Sequence, residues 1–230
     1  MSAPAGTDTP LVLHRVPLDL PADRLARLGA SLDGDERRRA AAFHAAADRD
    51  RFVARHGWLR LAAGRQLGCP PEQVPLVAPR DGKPWLRGTQ LRFSVSRSAG
   101  AALIALSWSG EVGVDLEVLR EEPDPLRFAA RWFTPAERRA VQRAPADQRS
   151  RRCLELWTRK EAYLKATGAG LAISPRSVEV VAPAGQPARI GAWAVHQLDA
   201  GPGVAAAVAV PDRQPPIPIP PLTPLHADPA

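Results

Sequence analysis

The stretch Trp157-Thr158-Arg159-Lys160-Glu161-Ala162-Tyr163-Leu164-Lys165-Ala166-Thr167-Gly168-Ala169-Gly170-Leu171 sets the reading of the chain. Trp157, Glu161, Leu164 and Gly168 recur at helical spacing, so one helix face begins aromatic, carries an acid and ends in glycine. Lys160 and Lys165 flank that acid, and Gly168 and Gly170 stop the helix where a left-handed cap is needed. An acid turned inward beside tryptophan is costly unless something pairs with it. Taken alone, the stretch also reads as an amphipathic helix with a surface Glu161–Lys165 pair.

Working outward, Gly113-Val114-Asp115-Leu116-Glu117 follows an apolar run from Ala101 to Trp108 and a turn at Ser109–Gly110. Strand alternation puts Asp115 and Glu117 on one face and Val114 and Leu116 on the other. Two like charges on one face either look to solvent on an edge strand or share a cation. An oxygen-only donor set suits Mg2+, which takes one or two carboxylates and completes its shell with water and phosphate.

The 230 residues suffice for one compact domain or two small ones. Apolar residues at 45% and charged residues at 24% fit a soluble globular protein. The net charge of +7, carried mostly by arginine, points to an anionic ligand or an acidic partner. Cys69 and Cys153 are far apart without metal-ligand spacing, as expected of a reducing cytoplasm. The first residues carry no apolar segment of a leader, and the longest apolar run, Val204 to Val210, is too short to span a bilayer, so no membrane partner is expected. Arginines interleave with Phe43, Phe52 and Trp58 between Glu36 and Arg60, but no nucleic-acid motif accompanies them and a solvated arginine face is the expectation. No Ser-His-Asp order, Walker A loop or GxGxxG occurs, which sets aside those hydrolase, P-loop and dinucleotide readings. The five histidines have no metal spacing and read as structural or surface residues.

In chain order, residues 1–10 read as disordered and Leu11 to Leu20 as a first strand. A helical region runs from Ala22 to Gly68, broken near Asp33-Gly34-Asp35. Strands are expected at Val74–Ala78, Leu91–Val95, Ala101–Trp108, Val178–Val181, Ala192–Leu198 and Val204–Val210. Arg80 to Pro84 reads as a tight turn, and Ser96-Arg97-Ser98-Ala99-Gly100 as a small, polar, phosphate-binding loop. Helices are expected over Leu126–Phe133, Pro135–Arg143 (capped by Thr134) and Gln148–Thr167. Shifting the chain by 104 residues aligns Arg55 with Arg159, Ala62 with Ala166, Gly64 with Gly168, Pro71 with Pro175, Val74 with Val178 and Ala101 with Ala205. This repeat predicts an α+β fold of two similar halves, 1–109 and 110–212. Residues 213–230 form a proline-rich tail, disordered or packed along the surface.

Gly-Val-Asp-Leu-Glu at 113–117 and Trp-x-x-Lys-Glu-Ala at 157–162 together resemble the signature of the 4′-phosphopantetheinyl transferases. The segment from Phe133 to Glu137 resembles that family's Phe-(Ser/Thr)-x-x-Glu. Gly82-Lys83-Pro84 and the run from Phe93 to Ser98 stand where its Gly-Lys-Pro and Asn-hydrophobic-Ser-His-Ser motifs would be. Length and motif order look like the larger, two-halved, surfactin-synthetase-activating type. That resemblance implies a pseudo-twofold pair of halves with the active site in the cleft between them. It implies attack by a serine of an apo acyl or peptidyl carrier protein on the β-phosphate of coenzyme A, Mg2+-dependent, releasing 3′,5′-ADP. Asp115, Glu117 and Glu161 would be the metal ligands, and Glu161 or a water near Asp115 or Glu117 the general base. Lys165 would offset leaving-group charge, with Lys160 a second cation or a structural partner of Glu155 or Glu161. Lys83, Arg51, Arg39 and Ser96 match positions around the coenzyme A phosphates. Arg97 departs from the family's usual histidine; it keeps or strengthens phosphate binding while removing any pH dependence a histidine confers. A cytoplasmic monomer is expected. Carrier docking falls on Arg120 to Arg131, with Leu119, Leu126 and Phe128 as its apolar centre. The competing reading is a non-catalytic coenzyme A or nucleotide-binding protein of the same fold, and intact Asp115, Glu117, Glu161 and Lys165 speak against it.

Overall fold

The computed structural model describes residues 10–79, 82–119, 124–170 and 173–226. The expectation for the first nine residues therefore lies outside the described residues, as do parts of the turn at 80–84 and of the proposed docking segment.

Strand β1 (Leu11–Pro17) leads into α1 (Ala22–Ala30), α2 (Gly34–Ala41) and the long α3 (Ala46–Leu67). The helical region breaks at Asp33 because its side chain accepts from the Glu36 amide while Glu36 caps back onto Asp33, a reciprocal capping box. Short strands β2 (Leu76–Val77) and β3 (Trp85–Leu86) pair with each other, so only two residues of the expected strand at 74–78 are strand. Strands β4 (Arg92–Ser98) and β5 (Ala101–Ser107) form a hairpin, and β6 (Gly113–Val118) follows. Helices α4 (Pro125–Trp132), α5 (Pro135–Arg143) and α6 (Arg149–Thr167) precede β7 (Ala188–Ile190), β8 (Trp193–Leu198) and β9 (Val204–Pro211). Residues 178–181 are not a strand: the Arg159 guanidinium and the Glu137 carboxylate hold the Val180 backbone in place of a ladder.

The fold is α+β, with two four-stranded sheets. The first runs β10-β1-β5-β4, where β10 is Thr223–Pro224, and the second runs β6-β9-β8-β7. Leu11, Leu13, Leu103 and Ala105 of the first sheet pack with Val114, Leu116, Val208 and Val210 of the second. On its other face the first sheet covers α3 through Phe93, Ile104 and Trp58. The second covers α6 and α4 through Ala207, Ala209, Leu156 and Ala129. Strands β5 and β9 are thus buried on both faces, which is why they read as unbroken apolar runs.

The proline-rich tail is part of this architecture. Thr223–Pro224 pairs parallel to β1, and Ile217 and Leu225 are buried in two different cores. It has no run of backbone donors, so its anchorage uses side chains: Thr223 Oγ donates to the Leu13 carbonyl and Arg65 donates to the His226 carbonyl.

One stabilising device occurs twice. In the first copy, Arg60 of α3 donates to Glu36 of the Asp33/Glu36 capping box and to the carbonyls of Pro71 and Val74. In the second, Lys160 of α6 contacts Glu137 of the Thr134/Glu137 capping box and the carbonyls of Pro175 and Val178. Both long helices end on left-handed glycines, Gly68 and Gly168. Arg60 and Lys160 are 100 residues apart, as are the glycines; Pro71 and Pro175 are 104 apart. The uniform 104-residue shift is therefore one helical turn out of register within the helices. Identities such as Gly64 with Gly168 arise from that slip.

Candidate active site

The edge strands β4 and β6 meet through serine hydroxyls. Ser94 and Ser98 accept from the Val114 and Val118 amides at 3.1 Å. Ser96 donates to Asp115 Oδ1 at 2.6 Å, and Ser98 to Glu117 Oε2 at 2.7 Å. Alternation on both strands thus faces the two carboxylates with two hydroxyls. This corrects the loop expected at 96–100. Ser96, Arg97 and Ser98 are strand residues, and only Ala99 and Gly100 form the turn.

Gly113 lets α6 cross directly over β6: a Cβ there would fall within the backbone of Ala162 and Ala166. That close crossing brings Lys165 Nζ 2.6 Å from Asp115 Oδ1 and 3.0 Å from Ser96 Oγ. Asp115 is 3% exposed, and its Oδ2 is buried with no hydrogen-bond partner. Burial raises the pKa of Glu161, and the charges of Asp115 and Glu117 push it further up, with Lys165 opposing. The three acids therefore share one electrostatic neighbourhood.

Among the described residues no group of three His, Cys, Asp or Glu side chains stands together as a ready-made metal cage. Asp115 and Glu117 are turned toward Lys165 and the serines. The unpartnered Asp115 Oδ2, the oxygen-only donors and the mutual repulsion felt by Glu161 nonetheless fit a cation that needs one or two carboxylates and keeps its water.

Beside these acids lies a cavity of 620 Å³, lined by Glu161, Lys165, Gly82, Lys83, Arg39, Arg55, His56 and apolar Leu59, Leu164 and Val95. Lys83 is held by Glu111 at 2.8 Å and by the Val112 carbonyl at 2.9 Å. Arg97 is exposed on β4 and does not line the cavity, but its charge is felt by Arg55, which does. Two expected residues stand elsewhere. Lys160 is wholly buried, 2.7 Å from Glu137, and cannot meet a ligand; its partner is the glutamate of the α5 capping box rather than Glu155 or Glu161. Arg51 does not line the cavity; it forms a two-point pair with Asp19. In the docking segment, Leu126 is 39% exposed, but Phe128 is packed edge-on against Phe133 and Trp157. Residues 120–123 lie outside the described residues.

Sequence reasoning missed Arg55, His56 and Ser98 as site residues. Arg55 was visible only as one of many arginines, and the repeat aligned it with Arg159, a buried residue bound to Gln197 and the Val180 carbonyl.

The 4′-phosphopantetheinyl transferase superfamily pattern matches residues 111–209, which span β6 to β9. The chain is 38% identical over 205 residues to the 4′-phosphopantetheinyl transferase HetI of Nostoc, covering 86% of both chains. The chain belongs to the 4′-phosphopantetheinyl transferase superfamily. It is also similar to 4′-phosphopantetheinyl transferases of Bacillus subtilis (26% identity; 67% of this chain, 68% of that one) and Salmonella typhi (34%; 50% and 60%). In this transferase Gly-Lys-Pro at 82–84 and Glu161 and Lys165 of Lys-Glu-x-x-x-Lys line the cavity, and Lys165 ties them to Asp115 and Ser96, which come from distant parts of the chain. None of its helices, among the described residues, is long and apolar enough to cross a membrane.

Proposed function

We propose that this enzyme transfers 4′-phosphopantetheine from coenzyme A to a serine of an apo acyl or peptidyl carrier protein, in a Mg2+-dependent reaction. The carrier serine oxygen bonds to the β-phosphorus of coenzyme A, the bond from that phosphorus to the bridging oxygen breaks, and 3′,5′-ADP leaves. The observation that carries the reading is Lys165 bound to Asp115 at the acidic end of an otherwise cationic, partly apolar cavity. Glu161, or a water near Asp115 or Glu117, takes the serine proton. Lys165 offsets charge on the departing phosphate. Lys83, Arg39 and Arg97 hold the phosphates, with Ser96 fixing Asp115 and Lys165. Asp115, Glu117 and Glu161 would hold Mg2+, whose charge neutralises the diphosphate. The repeat supports a pair of halves, 1–109 and 110–212, flanking this site; a cytoplasmic monomer is part of the same proposal.

The test is to incubate the purified protein with coenzyme A, Mg2+ and a panel of apo carrier proteins, then weigh the carriers. A gain of one phosphopantetheine mass is expected. It should vanish in excess chelator and in Asp115→Asn or Glu161→Gln, both of which should keep the fold. Transfer that survives chelator and both substitutions rejects the three-carboxylate assignment; no mass gain with any carrier rejects the activity.

A further inference from the structure

The cavity wall made by α2 and α3 carries a buried network that the transfer chemistry does not use. His56 lies between two partners. Its Nδ1 is 2.7 Å from Glu36 Oε1, and its Nε2 is 3.1 Å from an Arg55 guanidinium nitrogen. A guanidinium only donates, so Nε2 must accept; the single ring proton then sits on Nδ1 and is donated to Glu36. Glu36 is itself fixed, because its second oxygen accepts from Arg60 Nε at 2.6 Å and from the Asp33 amide at 3.0 Å. The imidazole stacks on Phe52 with centroids 4.1 Å apart. Burial, together with the charges of Arg55 and Arg39, lowers the His56 pKa against the pull of Glu36 and favours the neutral ring.

The held guanidinium stands in unusual company. Arg39 and Arg55 both lie over Phe52, at 5.5 and 5.6 Å from its centroid. Burial, then Arg97 and Arg39, push the Arg55 pKa down to about 10, leaving it cationic at neutral pH. Among the described residues, none of Arg39, Arg55 and Arg97 forms an ion pair with a carboxylate, although many other surface arginines do. Arg39 and Arg55 line the cavity, and the charge of Arg97 on neighbouring β4 adds to the repulsion at Arg55; an anionic ligand would balance them, and a phosphate matches the guanidinium fork.

We infer that Arg55 is a phosphate-binding residue of the cavity and that His56, oriented by Glu36, is the positioning residue that fixes its guanidinium. This rests on coenzyme A being the ligand. Neutral histidine suits the task because it accepts from Arg55 without neutralising it, whereas a carboxylate in its place would compete with the phosphate.

The experiment is a double-mutant cycle on coenzyme A binding, read by calorimetry with turnover at saturating coenzyme A alongside. The variants are Arg55→Ala, His56→Asn, His56→Phe and the Arg55→Ala/His56→Asn pair. The shorter asparagine amide can still donate to Glu36 while lacking the acceptor at Nε2, and it carries the test if the phenylalanine variant does not fold. Each His56 variant should weaken coenzyme A binding by about tenfold with kcat nearly unchanged. In the Arg55→Ala background the histidine change should cost nothing further. Equal losses in both backgrounds would mean that His56 is only structural, and no loss from Arg55→Ala would remove the phosphate role; either overturns the inference alone. A wild-type protein that does not bind coenzyme A overturns the ligand reading and this inference with it.

Discussion

Lys160 and Glu137 form an ion pair of 2.7 Å in which neither side chain has any exposure to solvent. One residue further on, Glu161 turns to the cavity, so adjacent positions of α6 serve opposite ends of the molecule's physics. Lys160 joins α6 to the start of α5 and to the turn at Pro175–Ser177, while Glu161 and Lys165 face the acids of β6. Lys160→Met should destabilise the protein by about 3–5 kcal/mol, since Glu137 is left charged and buried. For a chain of this size that is roughly a 10 °C drop in Tm. Lys165→Met should instead abolish transfer with a smaller loss of stability, because Asp115 keeps the Ser96 hydroxyl. Urea denaturation and transfer assays on both variants check the contrast; a Lys160→Met protein of normal Tm would refute the structural role.

Gly113 tests the crossing of α6 over β6. Gly113→Ala should cost about 1–3 kcal/mol by forcing the helix off the strand. The same displacement separates Lys165 from Asp115, so kcat should fall even where the variant remains folded. A Gly113→Ala enzyme with wild-type kcat would show that the crossing distance is not what sets the site.

Stability should fall as pH drops below about 6.5. His14, His56 and His196 all have pKa values lowered first by burial from an ordinary 6.5. In that window the unfolded chain binds protons that the folded chain refuses, so lower pH favours unfolding, by at most about 1.4 kcal/mol per pH unit for each histidine. Denaturation midpoints between pH 5 and 7.5 measure it. A flat profile would mean the three imidazoles titrate alike in both states.

Arg97→Ala should weaken coenzyme A by about 1.5–3 kcal/mol, the worth of a charge-assisted hydrogen bond. It should weaken 3′-dephospho-coenzyme A far less if the residue holds the 3′-phosphate. Comparing KM for the two substrates decides; equal losses would place Arg97 elsewhere on the ligand.

Local pattern alone determined a good deal of this protein. Alternation placed Asp115 and Glu117 on one strand face, and the structure gives both a serine partner on that face. Thr134, Pro135 and Glu137 marked the start of α5, and glycine marked the end of α6. These signals are local, because caps and pleats are set by a few neighbouring dihedrals. Tertiary structure decided the rest. No spacing says that Lys160 turns inward to a glutamate on another helix while Lys165 turns to a strand, because both are lysines on one helix and only the neighbouring elements differ. The repeat could be seen but not registered: one turn of helix returns a side chain to nearly the same face, so a shift of 104 mimics the 100-residue spacing that packing uses. Arg55 became distinct from the arginines around it only when folding buried it and set it near Arg39 and Arg97, since charge repulsion and burial depend on distance through space.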